Sequence, residues 1–544
     1  MSLPISHNLN RNNAFRVLTF AIFILAFTAR LVPGTRTIDD SYITYRYARN
    51  ILAGNGFVYN PGERVLGTTT PLYAFLLSTI GLFTGGEKAP FPQISLIINA
   101  FADAITCLLI LHLGRNLGSM VAGVGAALIW AIAPFSVTFA IGGLETSLYV
   151  LLLTATIWAY IEPRFVLAAF LGSLALLTRP DALILLAPLA LDRFIEYTGI
   201  GVRLGFKTRS SVNANRRNIW KEILALGLPR LAWLLFSSLY FGNPLPHSIA
   251  AKSVAYHLNQ NEAFIRLLQH YSVPFMGNLT FGNWWIAVGM VVNLFLFIIG
   301  ARNGIKHEPH SWPLFAYPWL YFGIYALANP LIFRWYLTPP LPAYILGILI
   351  GIECLLKTIL VRRRTLSEDN QPSSISWQLT ILPIIFVILL PLFLISRDWK
   401  LHPDHGANRP APEMAWYKLE LLYKQAADTL SPEIAQQTSS LVLAAGDVGV
   451  LGYFTSTRIL DTVGLNSPES TKYYPLDDQY YTINYAIPPK LIMDQLPEYI
   501  VILEVYGRNG LLKDADFKQT YTLLEKIPTD IYGSDGMLIF KRNF

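Results

Sequence analysis

Long apolar stretches alternate with short polar ones over residues 1–396 of the chain. A helix needs about 20 apolar residues to cross the hydrocarbon core of a bilayer. By this length the pattern predicts about eleven membrane-spanning helices, at residues 14–33, 93–113, 119–139, 146–162, 165–179, 182–197, 219–240, 281–300, 312–328, 339–360 and 377–396. The apolar run from Pro71 to Phe83 is only about 13 residues long and predicts a re-entrant or interfacial helix.

The pattern changes after residue 396. The last segment is charged, and its short apolar runs are typical of β-strands, at 440–445, 458–460, 499–503 and 537–540. A periodic stretch at 413–429 predicts an amphipathic helix. We therefore expect a transmembrane domain at 1–396 and a soluble α/β domain at 397–544, which has about 150 residues, a normal domain size.

Composition supports the membrane assignment. The chain is 53% hydrophobic and 14% charged, with a mean hydropathy of +0.41, whereas roughly a quarter of the residues of a soluble protein are charged. The lipid bilayer is thus an expected partner. The net charge of +7 is modest, and no nucleic-acid partner is expected. Cys107 and Cys354 lie in apolar runs, so we expect neither a disulfide framework nor a thiolate metal site.

The basic residues predict how the chain is oriented. If the N-terminus is cytoplasmic, the basic clusters between spans fall on the inner side, at 198–218, 301–311 and 361–376, as the positive-inside rule requires. Counting Pro71 to Phe83 as a full span would break this agreement. Three segments then fall on the outer side, at 34–92, 241–280 and 397–544.

The first outer loop, 34–92, opens with two adjacent acids, Asp39 and Asp40. A carboxylate can take the proton of a hydroxyl group, and fixed cations can stabilise a departing phosphate. Because neighbours in sequence do not face one another on a helix, we expect one aspartate to act as base and the other to orient substrate or bind a metal. The structural alternative is that both acids cap the next helix.

Two runs in this loop, Asp39 to Asn50 (DDSYITYRYARN) and Phe57 to Val65 (FVYNPGERV), resemble the GT-C superfamily of polyprenyl-phosphate-dependent glycosyltransferases. The resemblance is to the subgroup that includes the mycobacterial terminal arabinofuranosyltransferase. The chain departs from that pattern at Leu66, which replaces an acidic residue, and at 67–70, where GTTT replaces G-Y-T-[NS]. Shorter stretches resemble other family segments, at 177–181, 242–247, 251–252, 333–336 and 446–465.

The resemblance implies a polytopic α-helical membrane protein of the GT-C fold with a C-terminal extracytoplasmic α/β domain. It implies a glycosyltransferase of the cell membrane that moves a sugar from a polyprenyl-phosphate donor to a cell-envelope glycan acceptor on the outer face. An arabinofuranosyl-type pentose is favoured by the subgroup, and a mannosyl-type hexose is the alternative. Asp39 aligns with the first residue of the family's acidic pair and is implied as the catalytic acid, with Asp40 beside it.

Further site residues lie on the outer segments and at the predicted outer ends of the spans. Four are predicted to bind the donor and its phosphate: Arg179, Lys252, Arg334 and Tyr336. Six are predicted to orient substrate: Tyr42, Arg46, Glu63, Glu145, Asp181 and His247. Structural alternatives are that the long cations extend toward headgroups, that Arg179 pairs with Asp181, that Glu145 caps a helix, and that His247 is an ordinary loop residue. The sequence specifies no cofactor; a divalent cation stays open, with unknown ligands.

Two other classes of protein compete with a transferase. A lipid-sugar flippase or transporter would tend to show inverted repeats and broken helices at the midplane, and the sequence shows no repeat of fixed period. A non-catalytic receptor or scaffold would use the outer domain to bind glycans. Only the enzyme should lose turnover, but keep donor binding, when Asp39 is replaced by asparagine.

Overall fold

The computed structural model describes residues 5–199, 219–275, 284–366, 381–404, 407–415, 417–435 and 441–543. Most of the basic loop predicted at 198–218 and part of the loop predicted at 361–376 lie outside the described residues. The described chain has a helical part followed by a smaller part that mixes helices and strands. This order is the one that the hydropathy pattern predicts.

The helical part runs through residue 396. Its helices are α1 (Ile5–Leu31), α2 (Asp39–Leu52), α3 (Pro71–Thr84), α4 (Phe91–Asn116), α5 (Met120–Ile132), α6 (Pro134–Ile141), α7 (Thr146–Ile161), α8 (Phe165–Thr178), α9 (Leu183–Thr198), α10 (Ile219–Phe241), α11 (His247–Ala255), α12 (Glu262–Ser272), α13 (Trp284–His307), α14 (Trp312–Ala328), α15 (Leu341–Leu366) and α16 (Ile381–Ser396). Helices α3 and α6 begin at a proline, because the first helical position needs no N–H donor and favours the fixed φ of proline.

Five helices among the described residues are long and apolar enough to cross a membrane: Asn13–Leu31, Phe91–Asn116, Ile219–Phe241, Trp284–His307 and Arg334–Arg362. Helices α5 and α6 form one further candidate, bent by 41° where Pro134 interrupts the helix. Every predicted span coincides with a helix, but α7, α8 and α16 are shorter apolar helices. Eleven crossings therefore stay a prediction.

Buried charge inside the helical part is paired. Arg30 Nε on α1 lies 3.1 Å from Asp103 Oδ2 on α4, and both side chains are fully buried. Trp130 Nε1 and Ser147 Oγ also donate to the Asp103 carboxylate, at 3.1 and 2.8 Å. Because a charge at this depth is costly unless paired and hydrogen-bonded, this cluster holds α1, α4, α5 and α7 in one arrangement.

The described residues of the last part of the chain form seven strands and several helices. They are β1 (Trp399–Asp404), β2 (Ala407–Pro412), α17 (Lys418–Ala435), β3 (Val442–Ala445), α18 (Gly449–Thr455), β4 (Arg458–Asp461), α19 (Pro489–Gln495), β5 (Tyr499–Leu503), α20 (Glu504–Gly507), α21 (Ala515–Thr520), β6 (Tyr521–Ile527) and β7 (Met537–Arg542). The main sheet has the order β4-β3-β5-β7-β6. Strands β3, β4 and β5 are parallel, and β7 is antiparallel to both of its neighbours. The α/β class predicted for this segment is thus observed.

This α/β part shares an apolar core with the first outer loop. One cluster of buried side chains combines residues of both segments, among them Tyr47, Phe57, Tyr59, Tyr423, Leu443 and Val450. Burial of apolar area is the main stabilising term in such contacts. The first loop and the C-terminal part are therefore held together as one packed unit.

Hydrogen bonds fix the register of this contact. The Asn60 side chain donates to the Ile459 carbonyl at 2.9 Å, and the Ile459 N–H donates back to Asn60 Oδ1 at 3.1 Å. The amide of Asn60 thus pairs with edge strand β4 as a neighbouring strand would. Arg46 Nη2 donates to the Thr457 carbonyl at 2.6 Å. Arg46 and Asn60, which belong to the two family-like runs of the loop, therefore position the C-terminal part.

Candidate active site

A cavity of about 460 Å³ opens beside the first turn of α2. Asp40 lines it, and we name it the Asp40 cavity. Five other predicted site residues line the same space: Glu145, Arg179, Asp181, Lys252 and Tyr336. Residues Gly67 to Thr70, where the chain departs from the family pattern, form another part of the wall. Segments that are distant in sequence thus converge around one carboxylate.

Lys252, near the end of α11, is the cation that acts on Asp40. Burial raises the pKa of Asp40, and the charge of Lys252 works against that rise. Burial lowers the pKa of Lys252, but the contributions of Tyr336 and Asp40 are together larger than this effect. The pKa of Lys252 is therefore raised, and its amino group stays protonated. The Lys252 Nζ also lies 4.8 Å from the centre of the Phe333 ring. The cavity therefore presents a carboxylate and an ammonium together.

Arg179 is already engaged by acids. Its Nε and Nη2 donate to the two oxygens of Asp181 at 3.0 and 3.1 Å, and Nη1 lies 3.7 Å from Glu145 Oε1. The guanidinium also lies 4.6 Å from the centre of the Tyr336 ring. The pairing that the sequence allowed is observed, and it fixes the orientation of Arg179. Of the two cations that line this cavity, Lys252 is consequently more available to a ligand than Arg179.

Asp39 faces away from the Asp40 cavity. Its Oδ2 and Oδ1 accept from the N–H groups of Gly449 and Val450, at 2.9 and 2.8 Å, at the N-terminus of α18, where negative charge is stabilised. A side chain at 449 would collide with the Asp39 backbone, so glycine is needed there. The sequence predicts Asp39 as the catalytic acid, but the structure commits both its oxygens to the contact with the C-terminal part.

A second cavity, of about 700 Å³, lies against the C-terminal part. It is lined by Asp447 and Glu420, and we name it the Asp447 cavity. Asp447 Oδ2 accepts from the Tyr423 hydroxyl at 2.7 Å, and Glu420 Oε1 accepts from the Asp39 N–H at 3.2 Å. Burial raises the pKa of Glu420 to about 7 and that of Asp447 to about 6. Neither acid is among the predicted site residues, although Asp447 lies in the stretch 446–465 that resembles a family segment.

We expect the titration of the Glu420 carboxyl group to be visible in the pH dependence of the free energy of unfolding. Its pKa is raised from 4.5 to about 7 on folding, so the folded state holds a proton that the unfolded chain releases. The free energy of unfolding should therefore fall as the pH rises from about 4.5 to about 7, by about 3 kcal/mol for this group. Glu420→Gln should flatten that fall, which denaturation of the purified protein at pH 5, 6 and 7.5 would measure. An unchanged pH dependence in the variant would contradict the assignment.

Besides Asp39, four predicted residues line neither cavity. Arg46 is buried and donates to Tyr59 and Thr457 carbonyls, and Glu63 pairs with Arg458 of β4. Both residues therefore hold the contact between the loop and the C-terminal part. The sequence predicts instead that they orient substrate. Tyr42 packs in a cluster of aromatic rings with Tyr45 and Tyr453. The backbone N–H of His247 donates to the Leu66 carbonyl.

Arg334 is separated from the other predicted phosphate ligands. It lines the Asp447 cavity, whereas Arg179, Lys252 and Tyr336 line the Asp40 cavity. The predicted set of four is thus divided between two neighbouring spaces. Among the residues that the structure describes, no group of three or more His, Cys, Asp and Glu side chains is arranged to hold a metal ion. The divalent cation that the sequence left open stays without a ligand set.

Two curated relatives share part of the sequence. The chain is 29% identical over 231 residues to the terminal beta-(1->2)-arabinofuranosyltransferase of Mycobacterium tuberculosis. The aligned region covers 40% of this chain and 35% of that protein. It is 27% identical over 244 residues to the protein of that name from Corynebacterium glutamicum, covering 40% and 33%. The chain thus matches about a third of the length of these relatives. Residues 415–540 match a family model described as a domain of unknown function, DUF8728.

Solved structures match over nearly the whole chain. The archaeal oligosaccharyltransferase AglB from Archaeoglobus fulgidus, in complex with an inhibitory peptide and a dolichol-phosphate, has a TM-score of 0.56 at 12% identity, covering 92% of this chain and 72% of that one. ArnT from Cupriavidus metallidurans, bound to undecaprenyl phosphate, has a TM-score of 0.52 at 11% identity, covering 97% and 98%. The chain has the GT-C fold. The predicted fold class is confirmed, and the chain is a multi-pass membrane protein.

Proposed function

We propose that this GT-C chain is a glycosyltransferase that moves a sugar from a polyprenyl-phosphate donor to a cell-envelope glycan on the outer face of the cell membrane. The observation that carries the proposal is that Asp40 and Lys252 line one cavity, where each affects the pKa of the other. A transfer between a hydroxyl acceptor and a phosphate leaving group needs a base and a cation close together. The proposed orientation, with a cytoplasmic N-terminus, rests on the basic loops.

The roles in this proposal follow from position. The donor phosphate lies against Lys252, with Arg179 and Tyr336 behind it. Asp40 takes the proton of the acceptor hydroxyl as its oxygen bonds to the anomeric carbon, and the bond from that carbon to the phosphate oxygen breaks. The polyprenyl phosphate leaves with the bonding electrons, and Lys252 neutralises its charge. Asp39 is a positioning residue, because it anchors the C-terminal part directly beside Asp40.

The donor class is supported by the ligands named in the two matched structures, a dolichol-phosphate and an undecaprenyl phosphate. The sugar class is supported by the two terminal arabinofuranosyltransferases. An arabinofuranosyl-type pentose is therefore the proposed sugar, and a mannosyl-type hexose is the alternative. The departures at Leu66 and 67–70 lie close to the cavity wall, where they would affect the choice of sugar or acceptor.

The direct test is transfer by the purified full chain in lipid nanodiscs. Polyprenyl-phosphate arabinofuranose and polyprenyl-phosphate mannose would each be supplied with envelope glycans from a strain that lacks the protein. The proposal predicts sugar incorporation and equimolar release of polyprenyl phosphate from one of the donors. Movement of an intact donor across liposomes, without release, would identify a flippase instead. Absence of both activities with tight glycan binding would indicate a scaffold.

Lys252→Gln should weaken the transfer strongly. Loss of one charged hydrogen-bond donor at the leaving phosphate should lower kcat/KM by about a hundredfold. This loss should be larger for kcat/KM of the lipid-linked sugar donor than for kcat/KM of the acceptor. The matched control is Lys518→Gln, which removes an exposed lysine from α21 and should leave kcat/KM unchanged. Equal activity of Lys252→Gln and the wild type would remove Lys252 from the site.

A further inference from the structure

The Asp447 cavity adjoins the Asp40 cavity. Four residues line both spaces: Tyr256, Leu331, Phe333 and Trp335. The charges of Asp40 and Asp447 both act on Tyr256 and, after burial, raise its pKa, so this ring lies near each acid. A ligand in the Asp447 cavity would therefore reach the Asp40 cavity at this shared wall.

Aromatic side chains cover much of the Asp447 cavity. The rings that line it are Phe139, Tyr256, Phe333, Trp335, Tyr485, Tyr506 and Tyr532. Flat rings with an apolar face and polar edge suit ligands that are apolar on one side and hydroxylated on the other. A saccharide has this character, because its C–H groups can cover a ring while its hydroxyls reach polar atoms. Asn484 and Gln269 supply such polar groups in the same cavity.

Two arginines line this cavity. Arg266 extends from α12, and Arg334 from the 3-10 turn Arg334–Leu337. Burial lowers the pKa of Arg266, and the positive charge of Arg334 lowers it further, with only partial relief from Glu262. In the part of the chain that the structure describes, neither guanidinium makes an ion pair or a hydrogen bond. Two neighbouring cations without a bound carboxylate are unfavourable until an anion joins them.

Other arginines in the protein are satisfied differently. Arg179 holds the Asp181 carboxylate with two hydrogen bonds, and Arg508 holds Glu504 in the same way. Guanidinium groups form such bidentate contacts with carboxylates and phosphates alike. Arg266 and Arg334 thus leave guanidinium donors available to a ligand at the cavity surface.

Acids line the same cavity. Glu420 and Asp447 are among its lining residues, and the charge of Asp40 acts on both. Carboxyl groups accept hydrogen bonds from neutral hydroxyls. A ligand with one anionic group and several hydroxyls would therefore place the anionic group at the two arginines and offer hydroxyls to the acids.

From the two arginines, the aromatic rings and the acids that line it, we infer that the Asp447 cavity binds the acceptor, and that the acceptor is an anionic saccharide whose phosphate or carboxylate group contacts Arg266 and Arg334. The inference rests on the proposed function, and it adds the acceptor's chemical class and position. It also assigns a role to the DUF8728 region, which supplies Glu420, Asp447 and three of the aromatic rings.

The kinetic test compares a neutral glycan acceptor with its phosphorylated counterpart at saturating donor. The wild type should use the phosphorylated acceptor with a KM about tenfold to a hundredfold lower. The double variant Arg266→Gln, Arg334→Gln should lose this preference and keep its KM for the donor. Arg302→Gln, which removes an exposed arginine from α13, is the matched control and should behave as the wild type. A higher donor KM in the double variant, or equal use of both acceptors by the wild type, would overturn the inference.

A binding measurement separates this inference from the proposed function. Titration of the purified full chain with the phosphorylated and neutral glycans, followed by tryptophan fluorescence, needs no turnover. Tighter binding of the phosphorylated glycan, lost in the double variant, supports the site even if no donor is consumed. Equal binding of both glycans overturns it even if sugar transfer is observed.

Discussion

Asp40→Asn is expected to lower kcat for sugar transfer by about a thousandfold, because an amide cannot take the proton of the acceptor hydroxyl. Donor binding should be kept or strengthened. The substitution removes a negative charge that faces Lys252 in the cavity, and an anionic donor then meets less repulsion. Single-turnover transfer with a radiolabelled donor would measure the rate, and equilibrium binding of undecaprenyl phosphate would measure the affinity.

Two control variants sharpen this prediction. Asp478→Asn removes a carboxylate that is 89% exposed in the C-terminal part and should leave the rate unchanged. Asp40→Glu keeps the acid but displaces it, and should recover part of the activity lost by Asp40→Asn. Full activity of Asp40→Asn, in protein with unchanged thermal stability, would eliminate Asp40 as the base.

Asp39→Ala is expected to detach the C-terminal part from the membrane domain. The substitution leaves the N–H groups of Gly449 and Val450, both buried, without the acceptors that they have at 2.9 and 2.8 Å. Two buried N–H groups left without an acceptor should cost about 2–5 kcal/mol. We expect a lower thermal midpoint and faster proteolysis between residue 396 and the start of α17, which denaturation and limited digestion would record.

Asp39→Asn separates this role from catalysis. The asparagine keeps one oxygen acceptor, so it should lose less stability than alanine and retain measurable turnover. If Asp39→Asn keeps the wild-type midpoint but loses turnover by the amount expected of Asp40→Asn, Asp39 is the base, as the motif alone predicts. The two variants thus distinguish the anchor from the reacting carboxylate.

The helices of the membrane domain follow from hydropathy, because a bilayer imposes a minimum apolar length on every crossing. The bend between α5 and α6 was missed, since 119–139 is uniformly apolar, although Pro134 marks the place. In the C-terminal part, strand β6 was missed because Tyr521–Ile527 exposes most of its residues. Its pattern therefore lacks the buried run that revealed β5.

The Asp40 cavity was largely predictable, because Arg179, Asp181 and Lys252 lie in stretches that resemble family segments, and Glu145 was predicted beside them. What the motif could not show is how its own residues divide their tasks. Much of the motif fixes the C-terminal part, as the contact of Arg46 with Thr457 shows.

The Asp447 cavity could not be predicted, because its walls come from segments far apart in sequence. Glu420 lies on the helix predicted at 413–429, and Asp447 in the stretch 446–465 that resembles a family segment. Arg266 lies on α12. Local pattern marks each element, but only packing of the C-terminal part against the loop at 34–92 brings these side chains together.

The central claim is that Asp40 and Lys252 share one cavity with a lipid-linked phosphate. A cryo-electron microscopy structure of the full chain with undecaprenyl phosphate tests it most directly. The account predicts the phosphate within hydrogen-bond distance of Lys252 Nζ, with the Asp40 carboxylate facing the same space. A phosphate bound elsewhere on the chain, or an Asp40 side chain turned away from it, would contradict the account.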